Sequence, residues 1–147
     1  MIGKMLLVLL MLSGSSAAFA KPPPEIEALV LDCHDGDTCR MEIETWFDVF
    51  VRPSVRLIGI DTPELVSHCI DSQARAEEHR LAVGARDALR ELLVGQVVSL
   101  TDIKPDKYAG RVAARVWIGK RDVAVIMLIQ GHGRLYDGGP RLSWCSD

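Results

Sequence analysis

The chain has 147 residues and a formal net charge of −3, from 20 acidic and 17 basic side chains. This length suits one compact domain with a single hydrophobic core. The acidic excess disfavours a protein that binds nucleic acid through a broad basic surface, but it says little about an enzyme whose acids are gathered at a metal.

The first twenty residues are predicted to be a secretory signal peptide rather than part of the fold. A short positive start ends at Lys4, an apolar run covers residues 6–12, and an A-F-A cleavage site ends at Ala20. The apolar run is too short to cross a bilayer as a helix, although an uncleaved anchor is the alternative. We expect a mature protein without a membrane segment, beginning at Lys21, in the periplasm or outside the cell.

The four cysteines all follow this segment, at Cys33, Cys39, Cys69 and Cys145. An even number behind an export signal predicts two disulfides, for which three connectivities are possible. A hairpin centred near Gly36 would place Cys33 opposite Cys39 and leave Cys69 to pair with Cys145. A zinc site is the competing interpretation, but no C-x-x-C spacing supports it.

Residue periodicity predicts a mainly β domain of α+β class. The predicted elements, in chain order, are strands at 26–31, 38–43, 46–51 and 55–60, a helix at 71–93, strands at 97–100 and 112–118, and a short helix or strand at 123–129. Residues 102–110 are predicted to be a loop. Four or five short strands with one long inserted helix indicate a small barrel. The aromatic side chains of Trp46, Phe47, Phe50, Trp117 and Trp144 are expected to pack in the core or against the tail.

Three short motifs carry candidate chemistry. In DGDT, Asp35 and Asp37 place hard oxygen ligands on a tight turn, as calcium and magnesium sites require, although an ordinary hairpin turn is the commoner meaning. In DKYAGR, Lys107, Tyr108 and Arg111 suit contact with phosphate and stacking on a base or sugar. An ordinary solvated loop is the alternative there.

The motif RLIGIDTPE places an arginine inside an apolar strand that ends in acids. Strict alternation puts Arg56 and Asp61 on opposite faces, so they can serve one site only if the strand bends, and Gly59 is the natural place. A buried arginine must be paired or aimed at an anion, which leaves a structural ion pair between Arg56 and a carboxylate as the alternative to function.

Taken in this order, the three motifs resemble the staphylococcal nuclease (thermonuclease-like) family over residues 29–136. The resemblance implies an OB-fold, a five-stranded β-barrel with one long inserted helix and a short second helix. It also implies calcium-dependent hydrolysis of phosphodiester bonds in DNA or RNA with little sequence specificity. Other divalent ions remain possible, and a monomer is expected.

Several site roles follow from the resemblance. Asp37 and Asp61 match the family's calcium carboxylates, and Thr62 matches the residue that offers its backbone carbonyl to the metal. Asp35 matches a nearby acid. Glu64 matches the general base, which positions or deprotonates the attacking water.

The substrate-binding roles follow in the same way. Arg56 and Arg111 match the two arginines that clamp phosphate, and Lys107 and Tyr108 match substrate-contacting loop positions. The inserted Ala109 departs from the family's commonest form and is expected to affect Tyr108 or Arg111. The long C-terminal helix of the family's best-known member is not expected after YDGGPRLSWC, and a Cys69–Cys145 bridge is expected to pin the tail instead.

Two other functions use the same residues. A catalytically silent OB module would bind nucleic acid or protein, but such modules typically lose a metal carboxylate, an arginine or the glutamate. An extracellular domain with purely structural calcium would not explain the presence of Arg56 and Arg111. The complete set of residues favours a nuclease.

Overall fold

The computed structural model describes residues 25–145, so the predicted signal peptide and the start at Lys21 lie outside the described residues. The elements in chain order are β1 (Ile26–Cys33), β2 (Thr38–Trp46), β3 (Val49–Val51), β4 (Ser54–Leu57), β5 (Gly59–Asp61), α1 (Ser72–Leu93), β6 (Val97–Pro105), β7 (Arg111–Ile118), β8 (Arg121–Asp122), α2 (Val123–Ile129) and β9 (Arg134–Tyr136). The short element predicted at 123–129 is a helix. No helix within the described range is long and apolar enough to cross a membrane.

Five strands form the barrel. Hydrogen bonding runs in the order β1-β6-β7-β4-β2, and β2 pairs again with β1, which closes the ring. β4 and β7 are parallel, whereas the other neighbours in the ring are antiparallel. The long helix α1 is inserted between β5 and β6. The predicted α+β, mainly β class and the five-stranded OB-fold barrel are therefore confirmed.

The core fills the barrel and the space beneath α1. Inward positions of the strands carry fully buried apolar side chains, among them Val30, Met41, Val55, Leu57, Leu100 and Val116. Ala85, Leu89 and Leu93 recur on one face of α1 and are also fully buried. The Asp71 carboxylate caps this helix by accepting hydrogen bonds from two backbone N–H groups, of Gln73 at 3.0 Å and Ala74 at 2.8 Å.

Both predicted disulfides are present. Cys33 lies directly opposite Cys39 across the β1–β2 hairpin, and both are fully buried. Cys69, in the loop before α1, is bonded to Cys145 in the C-terminal tail. These bonds tie the turn and the tail to the barrel, and they exclude thiolate zinc ligation for the same sulfur atoms.

The strand predicted at 55–60 is divided into β4 and β5. Gly59 adopts φ +100°, a conformation that L side chains rarely adopt, and the chain leaves the barrel at this point. β5 then pairs antiparallel with β9, with Asp61 opposite Arg134. The bend that Arg56 and Asp61 need to serve one site is therefore confirmed at Gly59.

The structure corrects three other sequence predictions. β6 continues to Pro105, through an irregular register between Thr101 and Lys104, into the segment predicted as a loop. Residues 46–51 are not one strand: Trp46 ends β2, a turn follows, and β3 begins at Val49.

The prediction that Trp46, Phe47 and Phe50 pack in the core is wrong, because they are 71%, 80% and 48% exposed. The Trp46 and Phe47 rings contact each other instead, since the β2–β3 hairpin extends beyond the core.

The turn at Gly36 leaves no room for a side chain, which gives a stability prediction. A Cβ at Gly36 would lie 2.7 Å from the Ala85 Cβ and 2.9 Å from the Thr62 Cβ, both in tightly packed surroundings. Gly36→Ala is expected to lower the free energy of unfolding by about 1–3 kcal/mol, measured by urea denaturation. Gly84→Ala is the matched control. Gly84 lies in α1 with open space around it, so alanine is expected to be neutral or stabilising by up to about 1 kcal/mol. Equal stabilities for the two variants would contradict the close packing.

Candidate active site

Three acidic side chains from separate segments meet beside the barrel. Asp37 ends the turn that precedes β2, Asp61 ends β5, and Glu64 lies in the following loop. Asp37 and Asp61 are only 4% and 2% exposed. Charged groups at such depth require partners, so the surroundings of each carboxylate indicate its use.

Asp37 is held at both carboxylate oxygens. The Thr38 hydroxyl donates to Oδ1 at 2.8 Å, and the Arg56 Nη2 lies 2.8 Å from Oδ2. The Asp37 backbone N–H donates to Oδ1 of Asp35 at 3.2 Å, which places Asp35 beside the acids. Burial raises the pKa of Asp37 to about 7, against the opposing effect of the Arg56 guanidinium. The ion pair that the sequence left open for Arg56 therefore exists, and its partner is Asp37.

Asp61 presents two different oxygen atoms. Its Oδ2 accepts hydrogen bonds from Arg134 and from the indole N–H of Trp144, whereas Oδ1 is buried without a hydrogen-bond partner within residues 25–145. Buried polar atoms are nearly always hydrogen-bonded, and an exception calls for an explanation such as an ion. Two buried aspartates with one unsatisfied oxygen are the hard ligands that a divalent cation such as calcium prefers. The residues present therefore fit a metal of this class.

Glu78 holds the loop that carries Thr62 and Glu64. This helix α1 acid is 4% exposed; it accepts hydrogen bonds from the Glu64 backbone N–H at 3.2 Å and from the Ser67 hydroxyl. Thr62 is buried in the same loop, while the Glu64 side chain is 43% exposed. Sequence analysis missed Glu78. Its position four residues after Ala74 and four before Ala82, on the inward face of α1, was the available signal.

Arg141 joins the three acids. Its guanidinium contacts Glu64 Oε1, lies 3.2 Å from Asp61 Oδ1 through Nε, and lies 3.9 Å from Asp37 Oδ2 through Nη2. The three carboxylates are thus within reach of one cationic group. Arg141 was not predicted. The available signal was the expected Cys69–Cys145 bridge, which brings the tail close to the loop that contains Glu64.

Arg56 and Arg111 lie on the same side of the barrel. In the parallel pair β4–β7, Arg56 is opposite Ala113, and Ala113 is two residues after Arg111. Residues two apart on a strand share a face. Both arginines line a cleft of about 760 Å³, together with Lys107, Tyr136 and Arg141. The basic residues and the acids therefore border one another, because Arg141 lines the cleft and also contacts the acids.

The loop at 106–110 accommodates the additional alanine. Gly110 adopts φ +77°, and the Arg111 backbone N–H donates to the Tyr108 carbonyl at 3.2 Å, so that Arg111 still begins β7 and lines the cleft. Burial tends to raise the pKa of Asp106. The Arg111 guanidinium, which pairs with this carboxylate, outweighs burial and holds the pKa below its usual value. Tyr108 is 55% exposed, and the cationic groups of Lys107 and Arg111 lie over its ring. Tyr108 is not among the residues that line the cleft.

The structure thus brings most of the predicted site residues together. Two neighbouring regions result: an acidic region formed by Asp37, Asp61 and Glu64, and a basic region formed by Arg56, Arg111 and Lys107. Such a pair can hold a cation at one end and an anionic group at the other. The roles assigned to individual residues remain predictions.

Comparison with known proteins identifies the chain's relatives. A model of the family described as staphylococcal nuclease homologue matches residues 54–141, a range that includes every predicted site residue except Asp35 and Asp37. Proteins named probable endonuclease LCL3 from Debaryomyces hansenii and Clavispora lusitaniae are 33% and 37% identical over 87 residues. These matches cover 57% and 56% of this chain and 34% of each relative, so the chain spans about a third of the relatives' length. Because the family model matches more than half of the residues and the chain forms a closed five-stranded barrel, the chain belongs to the staphylococcal nuclease homologue family.

Proposed function

We propose that this protein is a metal-dependent nuclease that hydrolyses phosphodiester bonds of DNA or RNA with little sequence specificity. The observation that carries the proposal is the meeting of three acids with a cleft lined by two strand-borne arginines. Family membership and the relatives' names, probable endonuclease, support it. The cleft offers charge to phosphate groups rather than donors arranged for particular bases, which suits a substrate recognised by its backbone.

The acidic region would hold the metal, for which we propose calcium. Asp37 and Asp61 supply carboxylate oxygens, and Thr62 supplies a backbone carbonyl in the same loop. The buried Asp61 Oδ1, which has no hydrogen-bond partner among the described residues, supports this assignment. A divalent ion bound there would polarise a phosphate oxygen and stabilise the negative charge that develops during hydrolysis.

Arg56 and Arg111 would bind the phosphate that is cut. Guanidinium groups form paired hydrogen bonds with phosphate oxygens, and their placement on adjacent barrel strands fixes their separation. Each arginine contacts an aspartate in the absence of substrate, Arg56 with Asp37 and Arg111 with Asp106. Phosphate binding therefore requires each guanidinium to share or exchange its carboxylate partner. Preorganised charge of this kind is often the largest contribution to such catalysis.

Glu64 would orient or deprotonate the attacking water. Its backbone is fixed by Glu78, while its partly exposed carboxylate faces the acidic region. Arg141 contacts Glu64 at Oε1, so the water's proton would be accepted by the second carboxylate oxygen, Oε2, or by Oε1 once that contact is broken. Lys107 lines the cleft and would contact the substrate's phosphates, and Tyr108 would stack on a base or sugar beside it.

A silent module that binds nucleic acid without cutting it is the second candidate. The observation in its favour is Arg141, whose guanidinium contacts all three acids and thereby competes with a metal. The two candidates differ in a simple respect. A nuclease consumes its substrate only when a divalent cation is present, whereas a binding module leaves the strand intact with or without one.

Export to the periplasm or the exterior, and a monomeric state, are further parts of the proposal. The two disulfides support export, because such bonds persist in oxidising compartments and are rare in reducing ones. Cleavage of the first twenty residues would leave the disulfide-linked domain intact, since the first cysteine is Cys33.

The first prediction concerns catalysis by Glu64. With both disulfides formed, the protein is expected to cleave single-stranded DNA in calcium and to stop in EDTA. Glu64→Gln keeps the side chain's shape but removes the base, so the rate is expected to fall by about 100-fold or more. Glu77→Gln is the matched control and is expected to keep the wild-type rate, because Glu77 lies on α1 and pairs only with Arg80 among the described residues.

Two results would contradict the proposed metal-dependent nuclease. Cleavage that persists in EDTA would mean that catalysis does not require a divalent cation. If the protein binds DNA but leaves it intact with every divalent ion tested, the silent binding module would be the better function.

The second prediction concerns the charge of Asp37 before metal binds. Its folded-state pKa of about 7 lies above its ordinary value of 3.8. Between these values the folded protein keeps a proton that the unfolded chain has lost, so stability falls as pH rises through this range. The metal-free wild type is expected to lose free energy of unfolding relative to Asp37→Asn from about pH 4 to about pH 7, measured by guanidinium denaturation. A difference that moves in favour of the wild type as pH rises would mean that the Arg56 ion pair outweighs burial.

A further inference from the structure

The two oxygens of Asp61 are treated differently by the protein. Three donors converge on Oδ2: Arg134 Nε at 3.2 Å, Arg134 Nη2 at 3.1 Å and Trp144 Nε1 at 3.1 Å. On the other oxygen, Arg141 Nε lies 3.2 Å away without hydrogen-bond geometry, and the atom is fully buried. These three donors fix the plane of the carboxylate, because rotating it out of that plane would break three hydrogen bonds.

The C-terminal tail places the indole donor. Trp144 directly precedes Cys145, whose disulfide anchors the tail to the buried Cys69. Arg134 connects the same parts: its guanidinium lies 4.0 Å from the centroid of the Trp144 ring and donates to the Ser143 carbonyl at 3.0 Å. Arg134 is also the direct cross-strand neighbour of Asp61. The disulfide, the indole and Arg134 therefore form one connected support behind Asp61.

We propose that Trp144 and Arg134 are positioning residues for the metal site, and that the Cys69–Cys145 disulfide serves the site by delivering Trp144. The inference rests on the proposed function, because it assigns Asp61 Oδ1 to the cation. By occupying Oδ2, these two residues leave Oδ1 directed at the acidic region shared with Asp37 and Glu64.

The physical benefit is preorganisation of a ligand. A carboxylate on a free torsion must be ordered when a cation binds, and that ordering reduces affinity. Groups that hydrogen-bond a metal ligand from behind typically change metal affinity or activity by 10- to 100-fold when removed.

A conservative pair of substitutions tests this role. Trp144→Phe removes the indole N–H but keeps an aromatic ring for the Arg134 contact. Trp117→Phe removes an equivalent N–H elsewhere, because the Trp117 indole donates to the Thr101 hydroxyl at 2.9 Å on the barrel wall. Calcium dissociation constants are measured by isothermal titration calorimetry on the whole disulfide-bonded protein. We expect a rise of about tenfold in Trp144→Phe and a value near wild type in Trp117→Phe.

A second readout separates positioning from general loss of structure. The calcium concentration for half-maximal DNA cleavage is expected to rise about tenfold in Trp144→Phe, while the rate at saturating calcium stays close to that of the wild type. Thermal denaturation without calcium verifies that both variants are folded.

The outcomes distinguish this inference from the function on which it rests. Wild-type calcium affinity in a folded Trp144→Phe protein would overturn the positioning role and leave the nuclease proposal standing. A lower maximal rate with unchanged calcium affinity would also overturn it. A wild-type protein that binds no calcium would overturn the proposed calcium site and this inference together.

Discussion

The burial of two carboxylates beside the barrel is the constraint on which the rest of the site depends. Asp37 and Asp61 are almost completely removed from solvent, where an isolated charge is strongly unfavourable. Three arginines, Arg56, Arg134 and Arg141, approach them and offset part of that cost. Burial raises the pKa of Asp37 despite the opposing effect of the Arg56 guanidinium, so the charged form of this aspartate is disfavoured. A divalent ion would complete the charge balance, so the same burial that destabilises the metal-free site would favour metal binding.

The architecture brings these acids together through two departures from a simple barrel. Gly59 begins β5 shortly after the end of β4 and turns the chain, so that Arg56 stays on the barrel wall while Asp61 leaves it. The tail returns to the same place because its last described residue, Cys145, is bonded to Cys69. The arginines proposed to bind phosphate can thus be rigid parts of the barrel sheet. The acids, by contrast, come from a turn, the end of the short strand β5 and a loop, which require separate anchors such as Glu78 behind Glu64.

Much of this was predictable from the sequence because local patterns determine it. Alternating apolar residues and the Asp71–Leu93 periodicity specify the strands and the long helix, and the glycine in RLIGIDTPE marks the bend. The positions of Cys33 and Cys39 on either side of DGDT suggest that these two pair, which leaves Cys69 and Cys145 to form the second disulfide. The extent of β6 and the exposure of Trp46 were not predictable in this way, because both depend on how far paired strands continue beyond the core.

The residues that the sequence did not reveal act over long distances along the chain. Arg134 and Trp144 reach Asp61 across 73 and 83 positions, and Arg141 reaches Glu64 across 77. No local sequence pattern marks any of these three residues, so their partners become evident only in the folded structure of the tail. The inserted Ala109 is similar, since its consequence depends on Gly110 absorbing the additional length.

The central claim is that Asp37 and Asp61 form a divalent-cation site within a nuclease cleft. A crystal structure of the wild-type protein grown with calcium tests it most directly. We predict an ion bound by Asp37 and by Oδ1 of Asp61, with Arg141 moved away from both carboxylates. Arg141 still in contact with all three acids at saturating calcium, and no ion between the two aspartates, would contradict it.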